Sequence, residues 1–147
     1  KSIKLHMVGK LQTNKVKFVL PLFDFIHSLD SLKLARKISE EQKKYENKPK
    51  IFIQINIGNE PQKSGIDKSK LNEFYNECIN LGLDIVGTMC LPPIDNDPSI
   101  YFLEMKKITE ILNLKEISMG MSEDYLKAIE HSSTYLRIGS KIFGPRN

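Results

Sequence analysis

The 147-residue chain is long enough for one hydrophobic core and lies near the common size of a single domain. With 40% hydrophobic and 27% charged residues it reads as globular, which excludes a disordered chain, and its apolar runs (18–23 is typical) are too short to span a bilayer. The net charge of +4 admits a phosphate or nucleic-acid partner, but Lys43, Lys44, Lys106 and Lys107 are interspersed with glutamates and no basic block alternates with aromatics, so no specific nucleic-acid site is expected.

Cys78 and Cys90 show neither CxxC spacing nor a nearby histidine cluster, so reduced thiols in a cytoplasmic protein are expected and a metal site is not. The first residue is Lys1, and no signal-like segment follows it.

In chain order, strands are predicted at "IKLHMVG" (3–9), "FDFIHSLD" (23–30), "KIFIQINIG" (50–58), "LDIVGTMC" (83–90), "EISMGM" (116–121) and "TYLRIGSKIF" (134–143). Helices are predicted between them. A short one follows "LQTNKVKFV". The next, over 31–45, stripes Leu32, Ala35 and Ile38 along one face, and another over 67–81 places Leu71, Phe74, Tyr75 and Cys78 at helical spacing before a stop at Gly82. A fourth begins at Asp97-Pro98, an N-cap followed by a first-turn proline. Ser122 is expected to cap the last, "EDYLKAIEH".

Such alternation argues for parallel strands with helices outside. An open doubly wound sheet, covered on both faces, needs strands that are apolar throughout. Here Ile51, Ile53, Ile55 and Ile57 alternate with Phe52, Gln54 and Asn56; Ile117, Met119 and Met121 with Ser118 and Gly120; Leu136 and Ile138 with Arg137 and Gly139. Phe25, His27 and Leu29 oppose Ile26 and Ser28. One apolar face and one hydrogen-bonding face fit a closed α/β barrel whose interior holds a ligand at its C-terminal mouth. A complete barrel of this kind has eight strands and about 250 residues. The expectation is therefore a TIM-type (β/α)8 barrel with about the first two βα units absent from this sequence, residues 1–147 forming one domain, the C-terminal portion of the barrel.

In such barrels the last strands commonly build a phosphate site. Two strand ends suit it: "SMGMSED", where Ser122 offers a hydroxyl, and "RIGS", where Gly139 admits close approach and Ser140 adds a donor. Glu123 and Asp124 would repel an anion unless turned away. Arg137 sits on the polar register two residues before Gly139 and keeps its proton at any working pH, so it demands an acceptor. No Asp or Glu stands at the central positions of the other strands, which favours a ligand as that acceptor over a structural ion pair. Met89 and Cys90, in "GTMCLPP", either cover a ligand or simply pack, and Lys63 either reaches the mouth or is solvated. His6 and His27 read as satisfied core histidines, and His131 as a stabiliser of a helix end. No Ser-His-Asp set, metal spacing or Walker loop is visible, so no catalytic residue is nominated.

The stretches "HMVGKLQTNKVK", "IQINIGNEPQKSGI", "GTMCLPP", "SMGMSEDYLKAI" and "STYLRIGSKIFGPR" resemble, in order and spacing, the pyridoxal phosphate homeostasis proteins, a family similar in fold to the N-terminal barrel of alanine racemase. The resemblance implies a fold type III barrel that binds and carries pyridoxal 5'-phosphate (PLP) in the cytoplasm without established catalysis, monomeric at full length, with PLP-dependent apoenzymes as recipients. It implies that Arg137 faces the pyridine nitrogen, that Ser122, Gly139 and Ser140 contact the phosphate, that Met121 and Met89 lie near the ring, and that Ser118 helps orient Arg137. The family's anchoring lysine lies at the end of the first barrel strand, and no lysine here matches it. The glycine the family usually carries before "ST" is Ser132 here. The rival enzyme reading is a PLP-dependent, racemase-like protein. That chemistry needs an acid/base from a separate C-terminal domain, for which a chain ending at Asn147 is expected to leave no room.

Overall fold

A computed structural model describes residues 2–94 and 96–146. Its strands are β1 (His6–Met7), β2 (Phe25–Leu29), β3 (Lys50–Ile55), β4 (Asp84–Cys90), β5 (Glu116–Met121) and β6 (Tyr135–Arg137), hydrogen-bonded in that order as one sheet of six. Every pairing is parallel. The helices are α1 (Val16–Val19), α2 (Leu32–Gln42), α3 (Leu71–Asn80), α4 (Pro98–Ile111), α5 (Tyr125–Glu130) and α6 (Ser140–Phe143). The sheet curls: Tyr135 of β6 brings its ring within 5.7 Å of that of His6 in β1, although these are the two edge strands.

Local chemistry starts α2 and α4 where the sequence reading places them. The Ser31 hydroxyl oxygen accepts the Leu34 N–H at 3.2 Å at the start of α2, and Asp97 caps α4 by accepting the Ser99 N–H at 3.0 Å, with Pro98 in the first turn. Leu34, Ala35 and Ile38 of α2, Phe74 and Cys78 of α3, and Phe102 and Met105 of α4 bury against Ile26, Ile51, Ile53, Ile55 and Ile117 from the sheet. Phe52 and Met89 are equally buried but stand outside that cluster, on the inner face. The alternation read from β3 thus separates a helix-side layer from the lumen.

Three expectations need correction. The predicted strand over 134–143 stops at Arg137, and Ser140–Phe143 turn into α6, with the Phe143 N–H donating to the Gly139 carbonyl at 2.9 Å. Ile142 and Phe143 looked like strand residues but lie exposed, because no neighbouring strand accompanies them there. The 3–9 stretch pairs only through His6 and Met7, as suits an edge strand with one neighbour. Strict alternation also fails locally: Leu29 joins the helix-side core where the β2/β3 register shifts.

It fails again at Gly120, which has φ 98°. A Cβ there would meet the Ala128 Cβ at 2.6 Å and the Leu136 Cδ2 at 2.9 Å, so Gly120 lies under α5 rather than facing the lumen with Ser118. The β5/β6 register shifts over the same residues. Among the described residues, no helix is long and apolar enough to cross a membrane.

Candidate functional site

Arg137 emerges from β6 into the lumen. Its Nη1 donates to the Ser118 Oγ at 2.6 Å and its Nη2 to the Cys90 carbonyl at 2.7 Å. Both anchors are neutral, and among the described residues no carboxylate forms an ion pair with it. Burial lowers the Arg137 pKa from its usual value, yet a guanidinium remains charged. The result is a desolvated positive charge held in place and not neutralised by the protein.

Behind Arg137 the hydrogen bonds continue across the lumen. The fully buried Ser118 Oγ lies 2.7 Å from the His27 Nδ1, and the His27 Nε2 lies 2.9 Å from the His6 Nδ1. His27 stacks on Phe52 with ring centroids 4.3 Å apart, and Tyr135 meets both rings edge-on. Desolvation first, then the positive potential of His6 and Arg137, pushes the His27 pKa down to about 3, so this imidazole is neutral. The sequence reading of His6 and His27 as satisfied histidines matches these bonds. It missed that they belong to the same chain as Arg137, because a link between β2 and β5 leaves no trace in spacing along the chain.

Toward the C-terminal ends of the strands, the β5 and β6 loops lie together. The Ser122 Oγ accepts the Lys141 N–H at 3.2 Å, tying the β5 exit to the first turn of α6. Ser122 is therefore not the cap of α5; Asp124 occupies that place, and its Oδ1 accepts the Met121 N–H at 2.7 Å instead. The Asp124 carboxylate is thereby spent on the turn itself. Among the described residues, the Gly139 and Ser140 backbone N–H groups have no protein acceptor. A Cβ on Gly139 would meet nothing within 4 Å, so this backbone borders open space.

The remaining candidates distribute around the same end. Met89 is buried and lines a cavity of about 320 Å³ with Gln54, Asn56, Val8, Gly9 and Lys10. Lys63 borders that cavity and pairs with Glu60 at 2.8 Å. Asn56 braces the loop by donating from its Nδ2 to the Glu60 carbonyl and accepting the Glu60 N–H. Met121 is half-exposed beside the register shift. Cys90 is buried, its thiol pushed up to about 12 by desolvation, and it serves the site through its carbonyl. His131 lies apart, its Nδ1–H donating to the Lys127 carbonyl at the end of α5. Among the described residues no cluster of three or more His, Cys, Asp or Glu side chains could hold a metal.

Comparison with known proteins agrees with this architecture. The alanine racemase N-terminal domain model matches residues 3–147. The pyridoxal phosphate homeostasis protein of Aquifex aeolicus is 34% identical over 98% of this chain and 68% of its own length, and that of Pasteurella multocida is 34% identical over 99% and 67%. The chain thus spans about two thirds of the length of these relatives. Among solved structures, PipY of Synechococcus elongatus PCC7942 with PLP bound superposes with a TM-score of 0.89 at 29% identity, covering 97% of this chain and 71% of that one. The chain belongs to the alanine racemase N-terminal domain family, in the group of the pyridoxal phosphate homeostasis proteins.

Proposed function

We propose that this chain binds pyridoxal 5'-phosphate at the C-terminal end of its lumen and serves intracellular homeostasis of the cofactor, holding it without turning over a substrate. The observation that carries this reading is the charge state around Arg137: a half-buried guanidinium anchored, among the described residues, by a hydroxyl and a carbonyl alone, just before the Gly139 and Ser140 N–H groups, which have no acceptor among those residues. A pyridine nitrogen is an acceptor and a phosphate is an anion, so the two ends of PLP match the two kinds of donor present.

In this reading Arg137 meets the ring nitrogen, held by Ser118, while Gly139, Ser140 and Ser122 receive the phosphate and Met89 and Met121 flank the ring. When bound, PLP supplies an electron-withdrawing ring, which an arginine at its nitrogen makes a weaker electron sink than a carboxylate would. That polarity fits a carrier better than a transaminase. The relatives' shared name states a homeostatic role and no reaction. Residues 1–147 act as the C-terminal portion of the barrel. A cytoplasmic setting, a monomeric full-length protein and PLP-dependent apoenzymes as recipients extend the same reading on family likeness.

The test is a titration of the purified chain with PLP, followed by absorbance and by equilibrium dialysis. Saturable one-to-one uptake that inorganic phosphate competes away supports the reading. Uptake that is unsaturable, or unaltered in Arg137→Leu, contradicts it. Incubation of the loaded chain with alanine in deuterated water is expected to give no α-hydrogen exchange, and exchange at an enzymic rate would restore the racemase-like alternative.

A further inference from the structure

The bonds behind Arg137 have a direction. Arg137 can only donate, so the Ser118 oxygen accepts from it. If the His27 Nδ1 also carried a proton, Ser118 would accept twice and its own O–H would be left without a partner in a fully buried place, a loss that is costly in a low-dielectric interior. The arrangement that satisfies every group runs one way. Arg137 donates to Ser118, Ser118 donates to the His27 Nδ1, and the His27 Nε2–H donates to the His6 Nδ1. Each link polarises the next. His6 stacks on Phe25 with centroids 4.2 Å apart, which holds the far end still.

We propose that His27, seated by His6, is a positioning residue for the ring site: it fixes the rotor of the Ser118 hydroxyl, and through it the direction in which Arg137 is presented to the ligand. This rests on the PLP-binding reading above. His27 itself touches no ligand in this scheme, because Ser118 and Arg137 stand between it and the mouth. The charged and titratable groups facing the pair are Arg137 and Tyr135 from β6, together with Asp24 just before β2, whose charge acts on His6. Asp24 is itself engaged by Lys4 and by the Leu5 N–H, so its carboxylate is already committed outside the chain of bonds.

The test uses His27→Phe, which keeps an aromatic ring against Phe52 and removes both hydrogen bonds, alone and combined with Ser118→Ala. PLP affinity is expected to fall about tenfold in His27→Phe with the thermal midpoint changed by only a few degrees. In the Ser118→Ala background the same change is expected to cost less than twofold, because the link it acts through is already gone. Imidazole nitrogen shifts in the PLP-free protein supply a second measurement, with a neutral Nε2–H tautomer of His27 expected from pH 8 to pH 5 and lost in Ser118→Ala. Equal losses in both backgrounds, or an Nδ1–H tautomer, overturn the proposal. Absence of PLP binding by the wild-type chain overturns the parent reading instead, and the tautomer measurement still decides the chain's direction. Should His27→Phe fail to fold, His27→Gln, which can donate and accept, replaces it and is expected to retain affinity within threefold.

Discussion

The deep lumen and the open mouth of this barrel handle polar groups in opposite ways. Deep inside, Arg137, Ser118, His27 and His6 satisfy one another across strands β1, β2, β5 and β6, with the Cys90 carbonyl closing the set from β4. At the mouth, the Gly139 and Ser140 backbone donors have no acceptor among the described residues, and the nearby Asp124 carboxylate turns back on its own loop. A protein completes the hydrogen bonds it needs for folding and leaves incomplete those it offers to a ligand. On the proposed reading, the completed region sets where the ring lies, and the incomplete region receives the anionic end of the ligand. Arg137 is the hinge between them: two of its five N–H donors are committed within the protein, and its charge is not neutralised there.

Breaking that hinge is the largest expected effect. Arg137→Leu removes a charge-assisted contact in a partly desolvated place, so PLP affinity measured by dialysis should fall about a hundredfold. Its stability toward urea should hold or rise, because a half-buried cation without an ion-pair partner has been replaced by apolar volume. A large loss of stability with unchanged binding would mean the guanidinium is structural.

Gly120 separates the two regions on β5, between Ser118 below and Ser122 above. Gly120→Ala forces a Cβ into Ala128 at 2.6 Å while holding φ at 98°. The expected cost is about 2–4 kcal/mol in chemical denaturation. A near-neutral result would show that α5 can lift from the sheet without consequence.

Acid sharpens the comparison, because it acts first on the deep region. His27 has a folded pKa of about 3 against an ordinary value of 6.5, and that of His6 is also lowered, chiefly by burial. The unfolded chain therefore takes up these protons first. Stability from this source is complete above pH 6.5 and declines as pH falls below it, flattening near pH 3. The depressed carboxylates of Asp24, Asp67 and Asp97 add their loss only below about pH 4. Asp30 is raised, chiefly by desolvation, and works in the opposite sense. The urea midpoint of His27→Phe should accordingly vary less than wild type between pH 6.5 and pH 4. Parallel profiles would refute the neutral, buried assignment of His27.

The smallest effect belongs to a position in neither region. Ser132 ends α5 with φ 71°, the Ser133 N–H reaching the Ala128 carbonyl and the Ser132 N–H that of Ile129. Gly82 and Asn113 end α3 and α4 in the same way, with φ 72° and 55°. Ser132→Gly should stabilise by about 0.5–1 kcal/mol in thermal or urea unfolding and leave PLP affinity unchanged. A shift in affinity would tie this turn to the mouth.

Much of this was legible in the chain. Alternation in "IFIQINIG" separated helix side from lumen, and "RIGS" marked the place where a lumen cation precedes an open backbone. The glycine replaced at Ser132 left the conformation of that turn open, and the structure shows a positive φ there. What spacing could not show were links that exist only after the sheet curls, such as Ser118 to His27 across 91 residues. Nor could it show that Gly120 breaks the alternation, because a positive φ depends on what α5 packs against. The strand reading of "SKIF" failed for a similar reason: β-propensity registers a surface to pack on, and beyond Arg137 the chain meets none.

The central claim is that the satisfied lumen and the unsatisfied mouth together define one PLP site. A crystal structure of the chain grown with PLP tests it most directly. The account predicts the phosphate on the Gly139 and Ser140 N–H groups beside Ser122, and the pyridine nitrogen facing an Arg137 still held by Ser118 and the Cys90 carbonyl. PLP bound elsewhere, or an Arg137 whose accessible face meets only solvent while those donors stay free, would contradict it.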